Sequence, residues 1–284
     1  MNKQLKLLLL GCGDIATRLA AHLSVEHYDI TGARRTPLAG TTFPVLAADA
    51  TSMSDMCDLM TLGFDAVVVT MTPSQRSEAG YRNSYLKSME VLLQSVNASG
   101  SSPLVLFVSS TSVYGQDDGQ WVDEHSTTEP GGYSGQVILE SERLLQNSDL
   151  ASCIVRFSGI YGPGRQAQLR AVHSGKPLTR PNGWTNRIHS EDCAGVLAHL
   201  LEKYCSGDTL EPVYLASDHQ PISQWQLRSF LCGLLGREAP PPSAEQPASG
   251  KRCRNQQLVA SGYRFRYVDY RAGYSELIQQ SEEN

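Results

Sequence analysis

A glycine turn placed directly after an apolar strand constrains the fold of this chain most. Residues 5–10 form a short apolar run that predicts a buried strand, and Gly-Cys-Gly-Asp-Ile-Ala follows at once as residues 11–16. Beyond the turn, Leu19 and Leu23 continue a four-residue spacing that begins at Ile15 and predicts one face of a helix. A strand, a G-x-G-x-x-A turn and a helix in this order favour a dinucleotide site over a purely structural turn.

Each position of the turn has an expected part in that site. Gly11 would permit the tight turn, and Gly13 would let the backbone approach a pyrophosphate. Asp14 and Ile15 begin the helix, whose N-terminus offers N–H groups and a positive dipole end to phosphates. For Cys12 we expect a small packing residue, and a reactive thiol near the helix end is the alternative.

The residues after the later strands indicate which dinucleotide is bound. NAD sites usually place an acidic side chain about 20 residues beyond the glycines, but Arg34 and Arg35 stand there. A guanidinium suits the 2′-phosphate of NADP, so we expect NADP over NAD, against the alternative of two solvated loop arginines. Asp49 could accept a hydrogen bond from the adenine amino group or be an ordinary loop aspartate. The expected cofactor site is completed by Ala50, Thr70, Met71 and Phe157.

Apolar runs alternate with amphipathic stretches over the first 165 residues. The strand candidates are Leu5–Leu10, Tyr28–Gly32, Phe43–Ala47, Ala66–Val69, Leu104–Val108 and a run led by Ile154. Nearly continuous apolar strands are typical of parallel sheets covered on both faces. We therefore predict an α/β fold with a doubly wound parallel sheet in residues 1–165. Residues 166–284 are less regular, with a predicted helix from Ser190, its expected N-cap, to Lys203.

Composition excludes several classes of function. Lys and Arg number 24 against 29 Asp and Glu, and the net charge of −5 argues against non-specific nucleic-acid binding. The seven cysteines form no Cys-x-x-Cys pair, so we expect no zinc or other metal site. Scattered cysteines favour a reducing, cytoplasmic location. The apolar run at residues 7–10 is too short to span a membrane, so no membrane association is expected.

Three further motifs carry a resemblance to a known family. Ser-Ser-Thr-Ser-Val-Tyr-Gly occupies residues 109–115, Arg-Phe-Ser-Gly-Ile-Tyr-Gly-Pro-Gly residues 156–164, and Arg-Ile-His-Ser-Glu-Asp residues 187–192. With the glycine turn, they resemble the extended short-chain dehydrogenase/reductases, the NAD-dependent epimerase/dehydratase family, over nearly the whole chain. The resemblance implies a Rossmann domain, a small C-terminal α+β substrate lid and hydride transfer to or from a nicotinamide.

Site residues follow from the resemblance by motif. Family members use a Ser or Thr to position the substrate oxygen, a Tyr as acid/base and a Lys that lowers the tyrosine pKa. Ser110 matches the serine, with Thr111 as a neighbouring substitute, and Tyr133 is the candidate acid/base. The resemblance also implies that substrate contacts come from Tyr114, Arg165 and Arg187, while His189 and Asp192 are expected to be structural.

The chain departs from the family at the lysine. The family pattern is Tyr-x-x-x-Lys, but Val137 stands four residues after Tyr133, and a register shifted by one residue gives Ile138. A phenol titrates near ~10 when unperturbed, so little phenolate forms at neutral pH without a cation. Tyr133 could donate a proton unaided, another cation could substitute, or the protein could bind its cofactor without redox chemistry.

The sequence thus leads to two main functional hypotheses. One is an NADP-dependent epimerase/dehydratase-like or reductase-like enzyme acting on a carbonyl or hydroxyl of a small polar substrate such as a nucleotide-sugar. The other is an NADP-binding sensor or regulatory protein of the same fold that lacks catalysis. A structural protein with an empty groove is a third alternative. The helices predicted at 79–97 and 132–147 match those that form dimer bundles in the family, so a homodimer is expected.

Overall fold

A computed structural model describes residues 4–178, 180–241 and 249–282 of the chain. The strands are β1 (Leu5–Leu10), β2 (Tyr28–Arg34), β3 (Val45–Ala47), β4 (Ala66–Val69), β5 (Leu104–Ser110), β6 (Asp118–Val122), β7 (Ser152–Phe157), β8 (Gly159–Tyr161), β9 (Trp184–Thr185), β10 (Arg187–His189), β11 (Val213–Ala216), β12 (Ile222–Ser223) and β13 (Gly250–Cys253). The helices are α1 (Asp14–His22), α2 (Met53–Met60), α3 (Glu78–Tyr81), α4 (Ser88–Ser99), α5 (Tyr133–Gln146), α6 (Ala167–His173), α7 (Ser190–Cys205), α8 (Gln224–Leu234), α9 (Gln256–Ala260) and α10 (Tyr270–Glu282).

Seven strands form the main sheet in the order β11-β7-β5-β4-β1-β2-β3. β1 pairs in parallel with β2 on one side and with β4 on the other, and β4 pairs in parallel with β5. β1 therefore lies in the middle of the sheet, which winds outward in both directions, and helices separate its successive strands except β2 and β3. This Rossmann-like α/β architecture confirms the predicted fold class.

The central strands are buried because their side chains are apolar on both faces. Residues 7–10 of β1 and all of β4 are almost fully inaccessible to solvent. Their outward-facing side chains join α2, α4 and β5 in one apolar cluster that includes Leu8, Val67, Leu92 and Phe107. Strand β2 runs two residues beyond the predicted end at Gly32, because its backbone pairing with β1 continues to Leu10 opposite Ala33. An apolar run marks burial, whereas backbone hydrogen bonds decide where a strand ends.

The helix predicted at residues 79–97 is interrupted. Between α3 and α4 the backbone forms a π-helical segment over Arg82–Lys87. Such wider turns are rare and occur frequently at functional sites. Helical periodicity detects the apolar positions on both sides of the segment but not the wider turn itself.

The chain divides by compactness into two units of three segments each. The first unit comprises residues 1–113, 128–156 and 194–214, and the second comprises residues 114–127, 157–193 and 215–284. The predicted division at residue 165 stays a prediction. The second unit contains three two-stranded pairings, β10 with β8, β12 with β9 and β13 with β6. Its core is rich in aromatic side chains, among them Tyr161, Tyr270 and Tyr274.

Helix starts in the second unit follow two different patterns. Ser190 is the first residue of α7, but its hydroxyl is buried and has no hydrogen-bond partner among the described residues. The expected N-cap is therefore wrong: the hydroxyl packs against Gly162, where any Cβ would overlap it. Ser223 does cap α8, in a reciprocal arrangement with Gln226.

Within the described residues, no helix is both long and apolar enough to cross a membrane.

Candidate active site

A cavity of about 210 Å³ lies in the first unit at the carboxyl ends of β1, β2, β3 and β4. In parallel α/β sheets this edge is where ligands bind. Its lining combines the glycine turn, the residues that end β2 and β3, and the π-helical segment. The lining residues are Leu10, Gly11, Cys12, Gly13, Ala33, Arg34, Arg35, Thr36, Ala48, Asp49, Ala50, Thr51, Met71, Thr72, Asn83 and Ser84.

The glycine turn has the geometry that its residue types require. Gly11 has a φ of +81°, and a Cβ there would lie 2.6 Å from the Met71 sulfur. Any side chain would therefore suffer both backbone strain and overlap. Gly13 is the N-cap of α1 and supplies no side-chain cap, so the first turn of the helix keeps N–H groups for a ligand. Thr70 fixes the turn from β4, because its hydroxyl donates to the Gly11 carbonyl at 3.0 Å.

Cys12 fills space in the turn. Its sulfur would lie 2.8 Å from a Cβ placed on Gly32, which shows how closely the Cys12 side chain packs against the Gly32 backbone. Burial raises the pKa of the Cys12 thiol above its usual value, more than the opposing hydrogen bond from Thr17 and the charge of Arg34 lower it. The thiol is therefore protonated at neutral pH, and the packing interpretation is favoured over a reactive thiolate.

The charged groups in the cavity suit an anion. The Arg34 guanidinium donates to the Cys12 carbonyl at 3.3 Å, and Arg35 is exposed at the same edge. Asp49 turns toward its own loop, where Oδ1 accepts from the Thr51 N–H at 2.9 Å and from its hydroxyl at 2.7 Å. Two arginines and an uncapped helix N-terminus form a donor set that fits the phosphates of a dinucleotide, and the Asp49 carboxylate is occupied by its own loop.

Not every residue expected at the cofactor lines this cavity. Asp14 forms an ion pair with Arg18 at 2.8 Å, and the Ile15 side chain is buried, so only their backbones could serve a ligand. Thr70 acts through Gly11, and Phe157 is buried at the end of β7. Among the polar lining residues, sequence reasoning missed Thr36, Thr51, Thr72, Asn83 and Ser84. The last two come from the π-helical segment, for which the sequence holds no recognised signal.

The two serines of the Ser-Ser-Thr motif at the end of β5, Ser109 and Ser110, have different roles. Ser109 is buried and donates to Glu142, which also forms an ion pair with Arg156. Ser110 is half-buried, and its hydroxyl oxygen accepts the Ser112 N–H at 3.1 Å. Its own proton has no acceptor among the residues that the structure describes. Ser110 is thus available to a substrate oxygen, whereas Ser109 belongs to the core.

Tyr133 is the first residue of α5, and 39% of its surface is exposed. Its hydroxyl donates to the Arg76 carbonyl at 3.0 Å, and its ring meets Tyr81 edge-on. Two residues later, a Cβ on Gly135 would overlap the carbonyl oxygen of Ser112. This close approach holds the first turn of α5 against the turn that follows Ser110. Within the first unit, the fold therefore brings together the two segments that carry the predicted catalytic residues.

No lysine hydrogen-bonds to Tyr133 among the described residues. Val137 and Ile138, the two positions where the family pattern would place one, are both buried. Lys251 is half-buried, and its ammonium group donates to the Tyr114 carbonyl at 2.7 Å within the second unit. The pairing of β13 with β6 produces this contact, and sequence reasoning missed it.

The remaining substrate-contact candidates lie in different surroundings. Thr111 begins the turn after β5 in the first unit, and Tyr114, buried, belongs to the second. Arg165 closes the Gly-Pro-Gly turn with its N–H on the Gly162 carbonyl at 2.9 Å. Arg187 is half-buried on β10, and its Nε has no hydrogen-bond partner among the described residues.

The hydrogen bonds of Asp192 support the structural role expected for it. One carboxylate oxygen accepts from the Tyr263 hydroxyl at 2.9 Å and the Arg266 N–H at 2.7 Å, and the other accepts the Tyr267 N–H at 3.0 Å. His189 accepts the Glu191 N–H at 3.2 Å. These bonds fix the C-terminal loop of the second unit on the start of α7.

Asp218 is a buried carboxyl group in the same unit. One oxygen accepts the Gln220 N–H at 3.0 Å, and the other has no partner among the described residues. Burial, aided by the charge of Asp269 and opposed by Arg187, raises the pKa of Asp218 to about 8. The folded protein therefore binds this proton more tightly than the unfolded chain does.

We expect Asp218→Asn to flatten the pH dependence of stability. A raised carboxyl pKa gives stability that is full below the unfolded pKa and is lost as pH rises through the folded value, here from about 4 to about 8. The wild type should lose more free energy of unfolding than the variant between pH 5 and pH 8. Urea denaturation at both pH values measures this, and parallel losses in the two proteins would contradict the assignment.

Comparisons with known proteins agree with this architecture. The model of the NAD dependent epimerase/dehydratase family matches residues 7–216. Protein YeeZ of Escherichia coli strain K12 is 33% identical over 208 residues, which cover 69% of this chain and 73% of that protein. A candidate NAD-dependent epimerase/dehydratase from Methylobacillus flagellatus has a structure similar to this one at a TM-score of 0.87, with 32% identity over 99% of this chain and 100% of that one.

A third similarity concerns the fold. MoeE5, solved in complex with UDP-glucose and NAD, superposes with a TM-score of 0.79 and 20% identity, covering 98% of this chain and 99% of that one.

Proposed function

This chain belongs to the NAD-dependent epimerase/dehydratase family, and from that premise we propose that it is an enzyme that binds NADP and acts on a carbonyl or hydroxyl group of a small polar substrate. MoeE5, a protein of the same fold, binds NAD and UDP-glucose. A nucleotide-sugar is accordingly the substrate class we propose first. The proposal includes a cytoplasmic location and self-association through α4 and α5, without nucleic acid or membrane partners.

The choice of NADP rests on the charges at the end of β2. Arg34 ends that strand and Arg35 follows it, and both line the cavity next to the glycine turn. No Asp or Glu stands at these positions to accept a ribose 2′-hydroxyl, and Asp49 is already hydrogen-bonded to Thr51. A guanidinium pairs well with a phosphate in this setting.

The chain's own residues would have distinct tasks in the reaction. Gly11 and Gly13 admit the pyrophosphate, the N-terminus of α1 binds it, and Arg34 binds the 2′-phosphate. The bound dinucleotide supplies hydride-transfer chemistry. Ser110 donates its free hydroxyl proton to the reacting oxygen and orients it. Tyr133, at the start of α5, donates or accepts the proton on that oxygen after releasing the Arg76 carbonyl.

The burial of Val137 and Ile138 favours a second candidate function. Since these positions belong to the core, α5 offers the Tyr133 hydroxyl no lysine to assist proton transfer. A protein with an intact cofactor groove and no catalysis would act as an NADP-binding sensor or regulator. Binding of the cofactor without turnover of any carbonyl or hydroxyl substrate would distinguish this function from the first.

Titration with NADPH and NADH tests the cofactor assignment. We expect NADPH to bind about tenfold or more tightly than NADH, because a charge-assisted bidentate contact to the 2′-phosphate is among the stronger hydrogen-bonding arrangements. Arg34→Met should remove most of this preference by weakening NADPH alone. Fluorescence titration or calorimetry measures both affinities.

Arg170→Met serves as the matched control, because Arg170 is exposed on α6 in the second unit and carries the same charge. It should leave both affinities unchanged. Tighter binding of NADH than of NADPH would refute the role of Arg34. If neither dinucleotide binds below millimolar concentration, both the enzyme and the sensor proposals fail.

A further inference from the structure

A second cavity, of about 360 Å³, lies wholly within the second unit. Its walls come from β9, from the segment that leads through β12 into α8, and from the start of α10. Small-molecule sites commonly have volumes of roughly 300–1,000 Å³. The lining residues are Trp184, Gln220, Pro221, Ile222, Trp225, Gln226, Ser229, Phe230, Tyr270 and Arg271.

Four of the lining side chains are aromatic. Trp184, Trp225 and Phe230 are only half-buried, although rings of this size contribute most to stability when they are fully covered. The Phe230 ring meets the buried Tyr270 ring edge-on, with 5.3 Å between centroids. The Trp225 indole is fixed at its edge, because Nε1 donates to the Pro241 carbonyl at 2.8 Å. Aromatic rings that are held in place and incompletely covered suit stacking against a flat ligand ring.

The amide side chains of the lining offer hydrogen-bond donors. The Gln226 side-chain oxygen already accepts from the Ser223 N–H at 3.2 Å and from the Ser223 hydroxyl at 3.1 Å. The Gln220 side-chain oxygen accepts from the Arg271 guanidinium. An amide has one oxygen and two N–H donors, and in both glutamines the oxygen is occupied. A ligand at these side chains would therefore meet N–H groups and needs acceptors of its own.

Ser229 adds a hydroxyl group that is buried and has no hydrogen-bond partner in the described part of the chain. A serine inside a helix can satisfy its hydroxyl on the carbonyl four residues earlier, but Ser229 does not. Leaving a buried hydroxyl unpaired costs free energy, so such a group calls for a partner from outside the fold. Ser229 follows Gln226 by three residues on α8, which places both on one side of the helix.

The charges around the cavity favour an uncharged ligand. Aromatic cages can bind ammonium groups through cation–π contacts, but no Asp or Glu is among the lining residues that the structure describes. Arg271 already lies over the Tyr270 ring, with its guanidinium carbon 4.6 Å from the centroid. Its charge is paired with Asp269 at 3.3 Å, so it gives an anion little attraction.

We propose that this cavity binds an uncharged nucleoside whose planar ring carries carbonyl oxygens, as uracil does. The aromatic walls stack on the ring, and the amide N–H groups of Gln220 and Gln226 and the Ser229 hydroxyl donate to its oxygens. The proposed function does not use this cavity, and the inference does not rest on it, because binding here requires neither the dinucleotide nor turnover.

Titration of the full-length protein with uridine and with cytidine, followed by tryptophan fluorescence, tests the inference. Cytidine is the matched ligand, since it replaces one carbonyl of the ring with an amino donor. We expect uridine to quench the emission and to bind about tenfold more tightly than cytidine, because the amino group faces donors rather than acceptors.

Two tryptophan variants locate the binding site. Trp225→Leu should weaken uridine binding about tenfold by removing a stacking surface. Trp121 is the third tryptophan of the chain and is not among the residues that line the cavity. Trp121→Phe should therefore leave both the affinity and the quenching by uridine unchanged.

Ser229→Ala separates binding from packing and carries the test if Trp225→Leu does not fold. It should weaken uridine binding about fivefold without lowering the melting temperature, because the hydroxyl forms no hydrogen bond in the folded protein. Ser174→Ala, at an exposed serine of the same unit, is its control. The inference is overturned if uridine does not bind, if cytidine binds equally well, or if a folded Trp225 or Ser229 variant binds uridine as the wild type does.

Discussion

Replacing Arg156 with methionine is expected to lower the free energy of unfolding by about 3–5 kcal/mol. Its guanidinium donates to both carboxylate oxygens of Glu142, at 3.0 and 2.7 Å, and Ser109 donates to the same carboxylate. The Glu142 side chain is 0% exposed and that of Arg156 is 6% exposed. The variant would leave a fully buried carboxylate without its cation. Urea denaturation at pH 7 measures the change.

Two comparisons isolate the cause of this loss. The double variant Glu142→Met with Arg156→Met removes both charges and should recover most of the stability, because apolar replacement of a buried ion pair is often neutral. Arg82→Met breaks exposed ion pairs with Glu78 and Glu140 and should leave stability nearly unchanged. If Arg156→Met were as stable as Arg82→Met, the buried pair would contribute little to folding.

Gly135→Ala is expected to destabilise the protein by about 3 kcal/mol and to displace Tyr133. A methyl group there would overlap the Ser112 carbonyl and Cβ of Pro130, and a backbone oxygen cannot rotate away as a flexible side chain can. The first turn of α5 would have to move away from the segment that carries Ser110. Thermal or urea denaturation gives the loss of stability. A change in the fluorescence quenching of the exposed Tyr133 side chain reports the displacement.

Gly132→Ala provides a control one turn away from that contact. Gly132 is the N-cap of α5 with a φ of −125°, and nothing lies within 4 Å of the position its Cβ would take. This substitution should change stability only slightly. Equal effects of the two substitutions would mean that flexibility at the start of α5, rather than close packing, determines the result.

Local patterns determined much of the fold and part of the site. The apolar run of β1 and the glycine turn predicted the strand, the turn and α1, because each depends on residues within about one helix turn of it. Arg34 and Asp49 could be placed at the cavity for a related reason: the carboxyl ends of neighbouring parallel strands share one edge of a sheet.

Contacts between distant segments could not be predicted in this way. The Lys251 ammonium group donates to the carbonyl of Tyr114, which is 137 residues away in sequence. The Asn186 side chain donates to the carbonyl of Lys251 in β13, which is 65 residues away. These contacts depend on the pairing of β13 with β6, two short strands with little apolar character. Asn83 lines the cavity from the π-helical segment, for whose wider turn the sequence holds no recognised signal.

The burial of Val137 bears on how such a chain can change over evolutionary time. In the family pattern this position would carry the lysine that assists the tyrosine, but here its side chain is fully inaccessible. A mutation to lysine would place an unpaired ammonium group in the core, so selection for stability would remove it before any gain in catalysis could be favoured. A tyrosine–lysine pair at this place therefore requires several coordinated changes around α5.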